Sequence, residues 1–309
     1  HSNRFRPRSC EFREAGHGLK IVKSVRHSCF IVQGCMALWH CHFCALGNLA
    51  GDCLLTPNLI WPYSFALAKF IINHAQQDKI SMSDIPMKAP GALVIWTDIK
   101  PAAEEDFNRW YDHQHLEERV GIPGFLNGRR YKAIGDAPAK YLAWYEVASP
   151  DVLGSDAYGA RQANPTEWTS RIMPKFLNVT RVTSARIAKS GSGLGCIAAS
   201  LSFTCADGLV DAVSVGLAQL VKTLTAYPGI VAAQAWRPSQ ADAAAGTAEA
   251  KLRAHEENPP VWTVIIEATS KAAAQTALKE TNLAEQISGC ANSKVALGLY
   301  ELVLARGQI

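Results

Sequence analysis

The stretch Glu104–Tyr131, EEDFNRWYDHQHLEERVGIPGFLNGRRY, reads as an amphipathic helix that stops at Pro123-Gly124 and turns straight into a strand. Proline ends the helical hydrogen-bond ladder and glycine permits the reversal, so the pair marks a helix-to-strand corner. The same corner recurs as AYPGIVAAQAW, at Pro228-Gly229. A helix that feeds directly into a strand must pack on the sheet that strand joins. The chain makes this demand twice.

The elements around the two corners repeat in order. Ala92–Ile99 is a β-rich run ended by Lys100-Pro101, and 102–122 is helical, with Glu104, Glu105 and Asp106 complementing its N-terminal dipole. Leu126–Ile134 and Lys140–Ala148 are strands about the turn Gly135-Asp136-Ala137-Pro138. A second helical stretch opens at Ser149-Pro150-Asp151, breaks near Asn164-Pro165 and resumes from Trp168 to Phe176; Leu177–Ala188 is a fourth strand. After the Gly/Ser linker Ser190–Gly195 the order returns: strand 196–205, helix 207–227, strands 230–237 and 261–268, helix 270–287, strand 294–305. The Ala-rich insertion Gln240–Pro260 reads as a solvated, partly helical loop.

Residues 1–81 differ from everything after them. They hold six of the nine cysteines and six of the nine histidines, and nine Lys/Arg against four acids, leaving 22 basic and 23 acidic residues beyond. That balance gives the folded part no basic stripe for nucleic acid. His40-Cys41-His42 with Cys44, Cys35 and Cys53 supplies zinc-type ligands at a spacing that matches no standard knuckle. The apolar runs 29–55 and 54–72 are broken by His40, His42 and Asp52, and by Pro57, Asn58, Pro62 and Lys69, so neither is a clean membrane span. The reading preferred is that the native protein begins at Met82 and residues 1–81 are an unstructured over-extension. The remaining Cys196, Cys205 and Cys290, odd in number and unpaired in spacing, suit a reducing cytoplasm.

Two βαββαβ units, each with helices on one sheet face, resemble the ferredoxin-like split motif, and packing the two bare faces together gives an α+β pseudo-dimeric barrel of eight strands. The expected division is 82–190 and 191–309, the second copy degenerate. Phe107-x-x-Trp110-Tyr111-x-x-x-His115, then Val120-Gly121-Ile122-Pro123-Gly124-Phe125 and Arg129-Arg130-Tyr131, is similar to the dimeric α/β-barrel superfamily, its EthD-type group in particular. That resemblance implies a small-molecule protein of broad chemistry, from cofactor-independent monooxygenases and isomerases to haem-degrading enzymes. Single-repeat relatives pair through the sheet face that this chain fills internally, so the expectation is a monomer with an intramolecular pseudo-dimer, or a weak homodimer.

On a helical wheel of about 100° per residue with Phe107 at zero, Trp110 falls near −60°, Gln114 near −20°, Glu118 near +20°, Tyr111 near +40° and His115 near +80°. His113 points outward, and Leu116 lies near 180°. Buried Gln and Glu need partners or a wet cavity. Arg129 or Arg130, whichever points beneath the helix, is the expected partner of Glu118. A pocket walled by Trp96, Trp110, Tyr111, Tyr145 and Trp168, with Gln114 and Tyr131 as further contacts, would suit a cyclic or aromatic carbonyl compound. His115 would move the proton, and Arg or Tyr would stabilise the enolate or phenolate, with Glu118, Arg129 and Arg130 completing the set.

The structural alternative is an aromatic core stripe, a His bonded to backbone and a Glu–Arg pair that clamps helix to sheet. The second copy argues against it: its helix carries Val, Leu, Ala and Thr in place of the Trp-Tyr-His-Glu set, so that set is not required by the fold. No Walker loop, GxGxxG or HExxH occurs, and the expectation is an enzyme without nucleotide cofactor or metal. A non-catalytic ligand-binding module and a haem protein with His115 as axial ligand are the alternatives.

Overall fold

The computed structural model describes residues 90–239, 246–253 and 257–307; the expectations for residues 1–81, zinc ligands included, lie outside them. In chain order the elements are β1 (Gly91–Ile99), α1 (Glu104–Trp110) running through a π-helical turn (Tyr111–His115) into α2 (Leu116–Val120), β2 (Phe125–Ala133), β3 (Tyr141–Val147), α3 (Asp156–Ala163), α4 (Glu167–Ile172) and β4 (Phe176–Gly191). Then come β5 (Ile197–Phe203), α5 (Val210–Leu224), β6 (Ile230–Pro238), α6 (Ala248–Leu252), β7 (Trp262–Ala268), α7 (Lys271–Thr281), α8 (Leu283–Ser288) and β8 (Ala296–Gly307).

The eight strands close into one antiparallel barrel, in the order β1-β3-β2-β8-β5-β7-β6-β4. β4-β1-β3-β2 and β8-β5-β7-β6 each have ferredoxin-like order, and β2 pairing β8 and β4 pairing β6 seal the two seams. Both corners turn alike. Gly124 has φ +91° and Gly229 φ +81°, conformations that an L side chain would strain. The strand after each corner carries an irregularity at its second residue, between Phe125 and Asn127 and between Ile230 and Ala232. The linker is shorter than its composition implies, because Ser190 and Gly191 still pair with β6.

Strand alternation sorts the side chains into three cores. Ala92, Val94, Trp96, Tyr131, Leu142, Trp144, Val182, Trp236, Ile265 and Tyr300 fill the barrel. Outside it, helices α1–α4 cover an aromatic-rich core with Phe107, Trp110, Tyr111, Tyr145 and Tyr158, while α5, α7 and α8 cover an aliphatic one.

Parity also separates the tandem arginines. Arg130 points beneath α1 and lies among the rings of Phe107, Tyr111 and Tyr141, its guanidinium carbon 4.9, 4.5 and 4.7 Å from their centroids. It donates to Asn108 Oδ1 at 2.5 Å and faces Asp112 at 3.5 Å. Arg129 points into the barrel, stacks on Trp144 at 4.6 Å, and reaches Glu267 at 3.1 Å and Glu146 at 3.4 Å. Gln234 donates to Glu146 at 3.1 Å. Burial raises the Glu267 carboxyl above its usual range even with Arg129 beside it.

Arg129 therefore ties β2 and β3 to β7 across the barrel. Arg129→Ala would strand the buried Glu267 carboxylate and leave Glu146 only Gln234 and Arg186, at 3.1 and 4.0 Å, and we expect a loss of about 3–5 kcal/mol in chemical denaturation. Adding Glu146→Gln and Glu267→Gln to Arg129→Met should recover at least half of it. Equal losses in both variants would show that packing around the guanidinium, and not its charge, matters.

Candidate functional site

The π-helical turn reorganises the first helix. The Leu116 N–H reaches back to the Tyr111 carbonyl, a five-residue bond that accommodates one extra residue. Everything after it is set back by about 100° from the regular wheel. Arg119 moves from about +120° to the stripe centre, Leu116 moves in from the solvent side, and Glu118 moves to the edge. The burial agrees: Arg119 and Leu116 are 3% and 1% exposed, whereas the Glu118 side chain is 22% exposed.

The turn also allows a contact that a regular helix forbids. On an unbroken α-helix Trp110 and His115 would lie about 140° apart. Here their rings stack, with centroids 3.9 Å apart at 27°, and Tyr111 meets the imidazole edge-on at 5.1 Å. The Trp110 indole is fixed from behind by its bond to Thr169 Oγ1 at 3.2 Å. His115 is buried, and its Nδ1 has no hydrogen-bond partner. His113 is exposed, as the wheel requires.

Beside the imidazole is a cavity of about 40 Å³, room for a few waters at roughly 10–15 Å³ each. Its apolar wall comes from Leu93 and Ile95 of β1 with Met173, Phe176 and Val179; its polar wall from Tyr111, His115, Arg119, Tyr145, Tyr158 and Gln162. Arg181, Glu249 and Arg253 complete it. The lining holds three guanidinium groups and one carboxylate, and Arg253 is itself paired with Glu257 at 2.7 Å. Arg119 pairs with Glu249 in a buried ion pair, and Arg181 donates to the Tyr158 hydroxyl at 2.9 Å.

Burial first, then Arg119, Arg161 and Arg130, push the His115 imidazole well below its ordinary range. It is neutral at pH 7. Burial first, then the neighbouring Tyr111 phenol, hold the Tyr145 phenol well above its usual value, and its hydroxyl has Tyr111 beside it without a well-formed hydrogen bond. A neutral imidazole, a buried phenol and an arginine thus share one small space.

The structure brings together three of the residues singled out in the sequence: Tyr111, His115 and Tyr145 line the cavity, with Trp110 stacked behind His115. Glu118 pairs with Arg161 of α3 at 2.7 Å and with neither arginine of β2. Gln114 bonds Thr166 at 2.6 Å and Thr169 at 3.3 Å. Trp168 bonds Asp106 at 2.9 Å. Trp96, Tyr131 and Arg129 sit on the inner face of the sheet, the wrong side for this cavity, and Arg130 is held among the rings under α1.

Arg119, Tyr158, Gln162, Arg181, Glu249 and Arg253 were not anticipated. Tyr158 and Gln162 had a readable signal, one helical turn apart on one face, and they bond each other at 3.0 Å. Glu249 had none. It comes from α6, inside the insertion expected to be solvated, yet it is 1% exposed and packed over the first-half site. Haem does not fit: ordinary ligand pockets run from about 300 Å³ upward, and the imidazole is already stacked on Trp110. Among the described residues no group of three or more His, Cys, Asp or Glu could hold a metal ion, and no helix is long and apolar enough to cross a membrane.

The low His115 value sets a sign for acid sensitivity. The unfolded chain binds a proton near pH 6.5 that the folded chain rejects, so stability is full above about pH 6.5 and falls as pH drops below it. Between pH 6.5 and 5, thermal denaturation should cost the parent protein more stability than His115→Gln. Parallel curves would contradict a buried neutral imidazole.

No protein-family model matches the sequence, and no curated protein matches it. Among solved structures it is similar to an anthrone oxidase-like protein at 12% identity and a TM-score of 0.52, over 72% of this chain and 94% of that one. A candidate monooxygenase from Lactobacillus acidophilus NCFM matches at 12% identity and 0.47, over 72% and 97%. A ferredoxin-fold protein related to antibiotic biosynthesis monooxygenases, from Listeria monocytogenes 4b F2365, matches at 9% and 0.39, over 72% and 99%. At these identities the likeness bears on the fold alone: an α+β protein of two ferredoxin-like halves, closed here as one barrel of eight strands.

Proposed function

We propose that this is a small-molecule enzyme whose first step is proton transfer from an acidic C–H or O–H of a cyclic or aromatic carbonyl compound to neutral His115. The observation that carries the reading is the unpartnered, buried Nδ1 of His115 at a cavity that also holds Arg119 and the hydroxyl of Tyr145. Loss of the substrate proton leaves an enolate or phenolate, and Arg119 and Tyr145 are placed to stabilise it. The low proton affinity of the resting imidazole is offset when that anion forms beside it. The cavity takes only the reacting end of a substrate. Its body would lie toward Arg181 and Arg253, the partly exposed side of the lining.

Two further observations support a functional origin. Among the described residues the π turn occurs in the first half; the equivalent α5 is α-helical throughout, over an aliphatic core. π-turns concentrate at functional sites because they strain a helix that would otherwise regularise. We read the chain as a tandem duplication, 82–190 and 191–309, of an EthD-type unit in which only the first copy kept a site. The matching corners and strand irregularities support that reading. Three free cysteines among the described residues are compatible with a cytoplasmic setting.

The test uses anthrone, a cyclic aromatic ketone with an acidic methylene, and 2-tetralone as a smaller probe. Protein in D₂O should accelerate deuterium incorporation at the acidic methylene of each probe. His115→Ala should lower that rate by at least about 10²-fold with an unchanged fold, while Glu118→Gln leaves it within about twofold. Saturable thermal shifts without exchange would indicate a binding module. Equal rates in parent and His115→Ala would remove His115 from the mechanism.

A further inference from the structure

The larger cavity lies elsewhere. At the end of the barrel where β1 finishes and β8 begins, a cavity of about 330 Å³ opens among Trp96, Ala139, Asn178, Ser202, Val261 and Lys294. That volume is within the roughly 300–1,000 Å³ of ordinary ligand pockets, and barrel mouths are a common place for them. It is on the inner-face side of the sheet, so it shares no residue with the His115 cavity.

Its rim is built. Asn178 adopts a left-handed conformation, φ 48°, and its amide holds Asp98 Oδ2 at 3.1 Å and the Pro138 carbonyl at 2.9 Å. Asn258 donates to Thr180 Oγ1 at 2.9 Å, and its N–H bonds the Val179 carbonyl. Asparagine tolerates that region, and here its amide is held from two sides. On the floor the Trp96 indole is oriented by Ser200 Oγ at 3.2 Å.

Hydrogen-bonding capacity is left over. The Ser202 and Thr204 hydroxyls and the Lys294 ammonium have no partner among the described residues. Behind the lining Tyr300 is fully buried, with its phenol against the Ala139 backbone. Its ring occupies the space a side chain at position 298 would need: a Cβ there would come within 2.6 Å of it, so Gly298 is what allows the phenol to lie toward the mouth. An aromatic floor, the Ser202 and Thr204 hydroxyls and the exposed Lys294 cation thus meet at this mouth.

We propose that this barrel mouth is a second small-molecule site, for a planar aromatic compound bearing a carboxylate or phenolate. The ring lies against Trp96, the anion meets Lys294, and Ser202 and Thr204 supply polar contacts. It is independent of the chemistry proposed at His115.

Fluorine NMR of 5-fluorotryptophan-labelled full chain, with Trp96 and Trp110 assigned by Trp96→Phe and Trp110→Phe, tests it with 2-naphthoate as probe. The Trp96 resonance should shift saturably below millimolar probe while Trp110 stays still. Ser202→Trp should abolish the shift by filling the cavity. Lys294→Glu, an exposed change safe for folding, should weaken the apparent Kd at least tenfold. A Trp96 resonance unmoved at millimolar probe, a shift that survives in both variants, or Trp110 moving at the same concentrations would overturn the proposal.

Discussion

Closing eight strands into a barrel removes every sheet edge but creates an interior that must be filled without water to help. Arg129 answers that constraint. Its guanidinium lies on Trp144 and spans from Glu146 to Glu267, strands that belong to opposite halves of the barrel. With the middle of the inner face committed to this tie and to three tryptophans, space is left beneath the helices on the outer face and at the barrel mouth. Position within the fold thus separates structural charge from chemically available charge.

The helix above that outer face is regular only at its ends. The π turn costs hydrogen-bond quality along the helix, and it returns a stack of Trp110 on His115 and the inward placement of Arg119. Neither follows from an unbroken helix. The ion pair of Arg119 with Glu249 then draws α6, an element from the second half, over the first-half site. Removing either partner would leave a buried charge unpaired, so the site and its cover are energetically linked.

Much of this was legible in the residues. The two corners, the strand order and the closed barrel follow from Pro-Gly pairs, periodicity and the need to cover two bare faces. His115 as the inward histidine and Tyr111 and Tyr145 as its neighbours follow from the wheel and from strand parity. The exchange of Glu118 for Arg119 was not legible, because a wheel assumes one constant angle and the π turn violates it. Glu249 was hidden for a different reason: an Ala-rich insertion has no period, and only tertiary contact shows which residue it buries. Choosing between Arg129 and Arg130 required knowing which face of β2 is inside, which the paired strands decide and the local sequence does not.

The account rests on His115 being a neutral, unpartnered imidazole held by the π turn at the cavity wall. The direct measurement is the ¹⁵N chemical shift of its ring nitrogens from pH 8 to 5, assigned by difference from His115→Gln. The account predicts a neutral ring, with one nitrogen unprotonated, that persists below pH 5.5. An imidazole that titrates near pH 6.5 like an exposed histidine would contradict it.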